Sequence, residues 1–181
     1  NSDDNFRERY AATITAEDLS TLLYTVASDS MQGRMTGTEG QKMAADYLRT
    51  FYQNHNIPPA PTMEGYYQEI PAEYFTRMEN PVRSENVIAY IEGTELPDQV
   101  VVLSAHYDHV GMDGDTIYNG ADDDGSGTVA LMEIAEAFQL AKERGHGPKR
   151  SLLFLHVAGE EIGLYGSRYY TEHPIVPLAQ T

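Results

Sequence analysis

The sequence predicts an α/β fold built on a mixed, largely parallel sheet. Two amphipathic helix patterns come first, three apolar strand patterns follow with a helix between the last two, and the last strand, "SLLFLHV", is almost continuously apolar. A strand that is apolar on both faces is typical of a sheet covered by helices on both sides. The length of 181 residues suffices for one domain with a substantial core, so residues 1–181 are treated as a single domain.

The chain opens with a polar stretch and a first helix. Residues 1–14 are mostly polar and predict a loosely held arm. Thr15 then precedes a helix pattern, and Asp18 stands at the capping-box position. The apolar side chains recur at helical spacing, at Leu19, Leu22, Leu23 and Val26.

A second helix and two strands come next. This helix is predicted to begin at about Thr38, with Gln41 completing another capping box, and to end before Pro58. Strand patterns then cover "ENVIAYIEG" and "DQVVVLSAH", which are connected by the short, turn-rich "GTELPD". Such a short connection predicts an antiparallel hairpin.

A strand–helix–strand unit follows. The pattern is helical over residues 126–144, between a strand over residues 100–105 and a strand over residues 151–157. Such a unit makes its two strands parallel and connects them with right-handed geometry. Because ligands bind at the carboxyl ends of the strands in such sheets, we expect functional residues at these strand ends and at the start of the helix.

Acidic and imidazole side chains stand at these three places. His106 and Asp108 end the first strand, Glu160 and Glu161 follow the second, and the triplet Asp122–Asp124 precedes the helix. The chain contains no cysteine, which excludes thiolate zinc sites, disulfides and a cysteine nucleophile. A metal ion here would therefore be held by His, Asp and Glu.

The spacing of these residues suits metal-dependent hydrolysis. Residues two apart in an extended chain share a face, so the carboxylate of Asp108 can accept one ring N–H of His106 while the other ring nitrogen binds a metal. Neighbouring residues point apart, so of Glu160 and Glu161 one can bind metal and the other act as a general base. A carboxylate of the Asp triplet can bridge two cations roughly 3.5–4 Å apart. A triplet of aspartates by itself is more typical of a solvated loop, but three such motifs at one sheet edge favour a metal site.

Three segments, in this order and spacing, resemble the secreted bacterial leucyl aminopeptidase-type family of co-catalytic di-zinc metallopeptidases: "AHYDHVG", "NGADDDGSGTVALMEIAEAF" and "KRSLLFLHVAGEEIGLYGS". The resemblance extends over roughly residues 20–175. It implies a zinc-exopeptidase-like fold of three α/β/α layers. It also implies a zinc-dependent aminopeptidase whose substrate is a peptide with a free N-terminus.

The resemblance implies a role for each matching residue. His106 is then a ligand of one Zn²⁺, oriented by Asp108, and Glu161 is a ligand of the other Zn²⁺. Asp123 is the carboxylate that bridges the two ions. Glu160 is the general base for a zinc-held hydroxide that attacks the first peptide carbonyl.

The chain departs from the family after "GEE". The family completes its two zinc sites with a further Asp and a further His, and residues 162–181 contain no matching pair. We therefore expect the chain to be the N-terminal portion of a catalytic domain whose C-terminal part is missing, so that each Zn²⁺ lacks one ligand. By itself the chain is expected to bind metal weakly and to catalyse little or no hydrolysis.

Composition narrows the partners and the location. The net charge of −16 argues against nucleic acid and an anionic membrane surface as partners. No run approaches the roughly 18 apolar residues of a membrane span. The chain begins at Asn1 rather than Met, and a cleaved export signal would explain that start, so we expect an extracytoplasmic location.

Three other functions stay open. A related di-zinc carboxypeptidase or deacylase also uses "HxD" and "EE", a glutaminyl cyclase-like enzyme keeps one zinc, and the chain could be a non-catalytic binding remnant of the fold. Among the remaining residues, we expect His109 to lie near the site without a ligand role and His156 to be a hydrogen-bonded core histidine. Arg34 and Tyr165 are weaker candidates to line the site.

Overall fold

The structure, a computed structural model, describes residues 2–181, with side chains from residue 5 onward. The helices in this range are α1 (Ser2–Ala11), α2 (Ala16–Val26), α3 (Glu39–Asn54), α4 (Ser126–Glu143) and α5 (Tyr165–Glu172). The strands are β1 (Tyr67–Ile70), β2 (Ser84–Ile91), β3 (Leu96–His106), β4 (Gly111–Asp113), β5 (Thr116–Tyr118) and β6 (Arg150–Val157). Short helical turns cover Asp29–Arg34, Ala72–Tyr74, Ala121–Gly125 and Leu178–Gln180.

The main sheet has the strand order β1-β2-β6-β3, and β4 pairs with β5 in a separate hairpin. β6 pairs parallel with β3 and antiparallel with β2, and β1 pairs antiparallel with β2, so the sheet is mixed. The predicted hairpin of β2 and β3 is wrong, because β6 lies between these two strands. The apolar side chains of β6 are buried on both of its faces, and only a central strand covered by helices on both sides provides that environment.

The predicted strand–helix–strand unit is confirmed as β3–α4–β6. The two strands run parallel, and His106 is level with Val157 at their carboxyl ends. Helices α2, α3 and α4 cover the face of the sheet that carries Phe154, and α5 covers the opposite face, where Leu153 and Tyr170 share a second apolar cluster. The described residues therefore form the three α/β/α layers that the resemblance implies.

The first segment differs from the predicted arm. Residues 2–11 form α1, and Asn1 lies outside the described residues. The ring of Phe6 stacks on His146 with a centroid distance of 3.8 Å, and the hydroxyl of Tyr10 lies 2.8 Å from Nδ1 of His146. These two aromatic side chains, set within a polar sequence, hold α1 against the end of α4.

The helix starts agree only partly with the predicted caps. The hydroxyl of Thr15 accepts the N–H of Asp18 at 3.1 Å, which confirms the first cap. At α3 the capping box does not form, because Oε1 of Gln41 accepts the N–H of Gly37 at 3.0 Å instead of that of Thr38. The Gln41 side chain is buried, so its amide serves the interior of the fold.

Candidate metal centre

Three segments meet at the carboxyl edge of the main sheet. They are residues 106–109 at the end of β3 (the HYDH loop), residues 119–125 before α4 (the Asp loop) and residues 158–161 after β6 (the Glu loop). Because β3 and β6 are parallel neighbours that α4 connects, both strand ends and the helix start share this edge.

His106 is held from both sides of its main chain. Its N–H donates to Oδ2 of Asp124 at 3.1 Å, and its carbonyl accepts the hydroxyl of Thr128 at 2.9 Å. In the ring, Nδ1 lies 3.1 Å from the main-chain oxygen of Asp108. A carbonyl can only accept, so Nδ1 carries the proton in the neutral ring and Nε2 keeps its lone pair free for a metal.

The carboxylate of Asp108 does not orient the imidazole in the predicted way. This side chain is fully buried, and its Oδ1 lies 3.8 Å from Nδ1 of His106. Instead it accepts the hydroxyl of Thr36 at 2.8 Å and the N–H of Glu160 at 3.3 Å, because the main-chain carbonyl already takes the ring N–H. Asp108 therefore links the HYDH loop to the Glu loop.

Burial and charge shift the pKa values of this pair. Burial raises the pKa of Asp108, and the hydrogen bond from Thr36 opposes that rise. Burial acts to lower the pKa of His106, but the main-chain carbonyl and carboxylate of Asp108, with the carboxylates of Asp124 and Glu160, outweigh it and leave that pKa raised. Protons therefore compete with a metal for Nε2 of His106, which makes metal binding pH-dependent.

The Asp loop presents one aspartate and is held by another. Asp124 accepts the N–H groups of His106 and Gly127, and a Cβ at Gly127 would lie 2.3 Å from Oδ1 of Asp124, so glycine permits this approach. The side chain of Asp123 is 70% exposed, and its Oδ1 reaches Nε2 of His106 at 3.0 Å. Asp123 thus faces the site while Asp124 holds the loop and the start of α4 in place.

The two glutamates of the Glu loop reach different imidazoles. Oε2 of Glu160 lies 3.9 Å from Nε2 of His106, whereas Oε1 of Glu161 lies 2.6 Å from Nδ1 of His109. This divergence agrees with the expectation that neighbouring residues in extended chain point apart.

The side chains offer two groups of potential ligand atoms. His106, Glu160 and Glu161 form one group, and His109, Asp123 and Glu161 form the other, with all ligand atoms of a group within 4.8 Å of one another. Asp123 also contacts His106, so it lies between the two groups.

These donors fit zinc. Among the described side chains, Nδ1 of His109 and Oε1 of Glu161 are buried atoms without a hydrogen-bond partner, although they are close together. Buried polar atoms are nearly always paired, so a cation is the partner that this environment suits. Nitrogen and carboxylate oxygen donors in this number are typical zinc ligands.

For four residues around the candidate metal centre and in the core, the position in the structure can be compared with what the sequence predicted. His109 lies near the site as expected, and it is also one of the potential ligands of the second group, for which its only signal is its position three residues after His106. Thr36 gives no signal in the sequence at all. Tyr165 lies buried in a separate apolar cluster, and its N–H donates to the main-chain oxygen of Gly159 in the Glu loop. His156 is a core histidine as predicted, with its Nε2 2.6 Å from the hydroxyl of a buried tyrosine.

Comparison with known proteins identifies the family. The model of Peptidase family M28 matches residues 86–181, slightly more than half of the chain. The chain belongs to peptidase family M28. This M28 chain is 35% identical over 140 residues to a probable zinc metalloprotease of Pyrenophora teres f. teres (strain 0-1), a match that covers 76% of the chain and 28% of that relative.

Solved structures share the fold of the M28 chain. The LapA aminopeptidase of Legionella pneumophila matches with a TM-score of 0.64 and 22% identity, over 93% of this chain and 43% of that one. The glutaminyl cyclase of Porphyromonas gingivalis matches with a TM-score of 0.68 and 21% identity, over 91% and 55% of the respective chains. The M28 chain thus spans about a quarter of the Pyrenophora relative and about half of each solved chain. No helix within residues 2–181 has the length and apolar character needed to cross a membrane.

Proposed function

We propose that these residues belong to the catalytic domain of a zinc-dependent aminopeptidase, which hydrolyses the N-terminal peptide bond of peptides. The observation that carries the proposal is the meeting of His106, Asp123 and Glu161 at one sheet edge, with Glu160 beside them. Membership of the M28 family supports peptide hydrolysis.

Two zinc ions would be held by this set. We assign Nε2 of His106 and one carboxylate oxygen of Asp123 to one ion, and the second carboxylate oxygen of Asp123 and Glu161 to the other. The place of Asp123 between the two groups supports its bridging role. Zinc usually takes four ligands, so each ion would need at least one ligand beyond these assignments. Bound there, zinc would supply Lewis acidity that polarises a peptide carbonyl and activates water at neutral pH.

Glu160 is the residue that moves the proton. Its side chain is about one-third exposed and is assigned no place as a ligand, so its carboxylate stays available to accept a proton from the attacking water. It would then donate that proton to the leaving amine. The main-chain bond from Glu160 to buried Asp108 holds this residue relative to His106.

The substrate proposed is a peptide with a free N-terminal amine. The resemblance to the aminopeptidase family supports this choice, and the concentration of carboxylates at the site suits a cationic amine. An extracytoplasmic location is proposed with it, in line with the secreted family that the sequence resembles. The proposed function involves neither a membrane span nor a nucleic acid partner.

The decisive experiment replaces Glu160 in the whole protein. Glu160→Gln should keep zinc but lower kcat by about 10²- to 10⁴-fold, because it removes the base and leaves the ligands. Glu92→Gln, which changes an exposed glutamate at the opposite edge of the sheet, is the matched control and should keep full activity. Unchanged turnover in Glu160→Gln would remove Glu160 as the base.

The substrate end is tested separately. Peptides with a free amine should be cleaved and their N-acetylated forms should not, and a chelator should abolish cleavage. Equal cleavage of both forms would favour the carboxypeptidase or deacylase alternative. Cyclisation of an N-terminal glutamine, with release of ammonia and no cleavage of the peptide bond, would favour the cyclase alternative, whose fold the Porphyromonas enzyme represents. Zinc binding without any turnover would favour the non-catalytic remnant.

A further inference from the structure

Arg34 is enclosed beneath the candidate metal centre, and its guanidinium bonds only to main-chain carbonyls among the described residues. Nε donates to the oxygen of Tyr107 at 2.8 Å. Nη1 donates to the oxygens of Val26 and Asn119, both at 2.7 Å, and Nη2 donates to the oxygen of Gly120 at 2.8 Å. The side chain is fully buried, so all four bonds are shielded from water.

Three of these four carbonyls belong to the two loops that carry the proposed ligands, and the fourth, that of Val26, ends α2. Tyr107 directly follows His106 in the HYDH loop. Gly120 lies three residues before Asp123 in the Asp loop. The planar, rigid fork of an arginine side chain can hold two segments at a set separation, which a flexible point donor such as lysine cannot do.

The main chain of Arg34 also contacts the site. Gln32, Gly33 and Arg34 have successive positive φ angles of 51°, 66° and 49°, a left-handed turn that directs the arginine inward. For the two non-glycine residues this conformation is strained, because Cβ crowds the following carbonyl oxygen. The carbonyl of Arg34 accepts the N–H of His109 at 3.2 Å, so the turn also positions the second imidazole.

We propose that Arg34 is a positioning residue that sets the separation of His106 and Asp123 for metal binding. The inference rests on the proposed function, because it assumes that these two side chains share a metal ion. Arg34 does not reach the ion itself. It acts by fixing the main chain on which both ligands stand.

Loss of the charge of Arg34 and loss of its hydrogen bonds should change the metal affinity in opposite directions. The guanidinium stays protonated at neutral pH, and it lies close enough to Asp108 and Asp124 for their charges to act on it. A nearby positive charge repels a metal ion, so loss of the charge alone would raise metal affinity. Loss of the hydrogen bonds that hold the two loops would lower the metal affinity. The sign of the change therefore distinguishes the two effects.

The test measures the zinc affinity of the whole protein by competition with a chromogenic chelator. Arg34→Gln should weaken zinc binding by about 10- to 100-fold, the usual effect of removing a group that supports a ligand. Arg34→Lys should weaken it at least as much, because it keeps the charge that repels the metal and loses the fork that holds the loops. The visible spectrum of Co²⁺ bound to each variant should differ from that of wild type, because the ligand geometry changes.

Tyr52→Phe is the matched control. It also removes a buried hydrogen bond, between α3 and β6, and neither of its residues belongs to the HYDH loop or the Asp loop. This variant should lose stability and keep wild-type zinc affinity and Co²⁺ spectrum. Zinc affinity in Arg34→Gln that is unchanged or higher than in wild type would overturn the inference, and so would an equal loss in Tyr52→Phe. A wild-type whole protein that binds no zinc would instead contradict the proposed function.

A measurement on the wild-type chain covers the case in which the Arg34 variants do not fold. The Nε–H of Arg34 gives its own signal in a ¹H–¹⁵N spectrum, and it bonds the carbonyl next to His106. Adding Zn²⁺ should shift this signal and slow its exchange with water, because ligand binding orders the loop. Zinc binding that leaves the signal unchanged would overturn the inference.

Discussion

The hydroxyl of Thr36 joins two segments of the candidate metal centre, and its removal tests how the site is held together. It donates to Oδ2 of Asp108 at 2.8 Å and accepts the N–H of Gly159 at 3.0 Å. Thr36 is only 2% exposed, so water cannot replace either bond. Thr36→Val keeps the shape of the side chain and deletes the hydroxyl.

The expected loss of stability follows from these two bonds. A bond to a charged group contributes about 1.5–3 kcal/mol, and a buried donor left without a partner costs about 1–3 kcal/mol. The two contributions overlap, so we expect Thr36→Val to lower the free energy of unfolding by about 3 kcal/mol. Thr36→Ser keeps the hydroxyl and loses one methyl group, which predicts a loss of about 1 kcal/mol.

The loss should depend on pH in a defined direction. The hydrogen bond from Thr36 lowers the pKa of Asp108, so it stabilises the ionised carboxylate. The difference between wild type and Thr36→Val should therefore be full at neutral pH and shrink as the pH falls through the pKa of Asp108. Zinc affinity should fall about 10- to 100-fold in the same variant, because Asp108 holds both ligand loops.

Urea unfolding followed by circular dichroism measures these differences at neutral and acidic pH. The reasoning is refuted if Thr36→Val stays within about 0.5 kcal/mol of wild type, the range of a neutral surface change. Equal losses in Thr36→Val and Thr36→Ser would also refute it, because the hydroxyl would then contribute nothing.

Three further outcomes are expected. Burial and the charges of neighbouring acids raise the pKa of Glu133 to about 7, above its unfolded value, so the free energy of unfolding should fall as pH rises from the ordinary glutamate range to about 7. Glu133→Gln should flatten that slope and add up to about 3 kcal/mol at neutral pH. An unaltered slope in urea titrations would contradict this. Burial lowers the pKa of His156 to about 3, so stability should be lost as pH falls below the ordinary histidine value. Tyr52→Phe removes the hydrogen bond to His156 and should lower the free energy of unfolding by about 1–3 kcal/mol at neutral pH; an unchanged urea midpoint would contradict this. Zinc should raise the melting temperature and a chelator should reverse the rise, because a ligand of the folded state stabilises it. His106→Ala should reduce the shift, and an undiminished shift would place the metal elsewhere.

Much of the local structure was predictable from the sequence. The apolar spacing from Leu19 to Val26 and the continuous apolar run of β6 each correspond to an element of the right type, because periodicity reports which faces of a segment are buried. Parallel β3 and β6 then required their ends to share one edge. The approach of His106 to Glu160 followed from that topology before any side chain was placed.

The tertiary structure decided the pairing of strands and the partners of side chains. The short turn between β2 and β3 favoured a hairpin, yet β6 separates them, because burial of its two apolar faces depends on helices far away in the chain. In the same way, Asp108 bonds Thr36 from a segment 72 positions away, and Arg34 bonds carbonyls of loops that periodicity cannot locate. Sequence patterns indicate which faces of each segment are buried, so the sequence alone determined the helices and strands. Through the parallel pair β3 and β6 it also determined the sheet edge at which the acidic side chains meet. Contacts between distant segments carry no such local signature, so only the folded chain determined which groups hold the ligands in place.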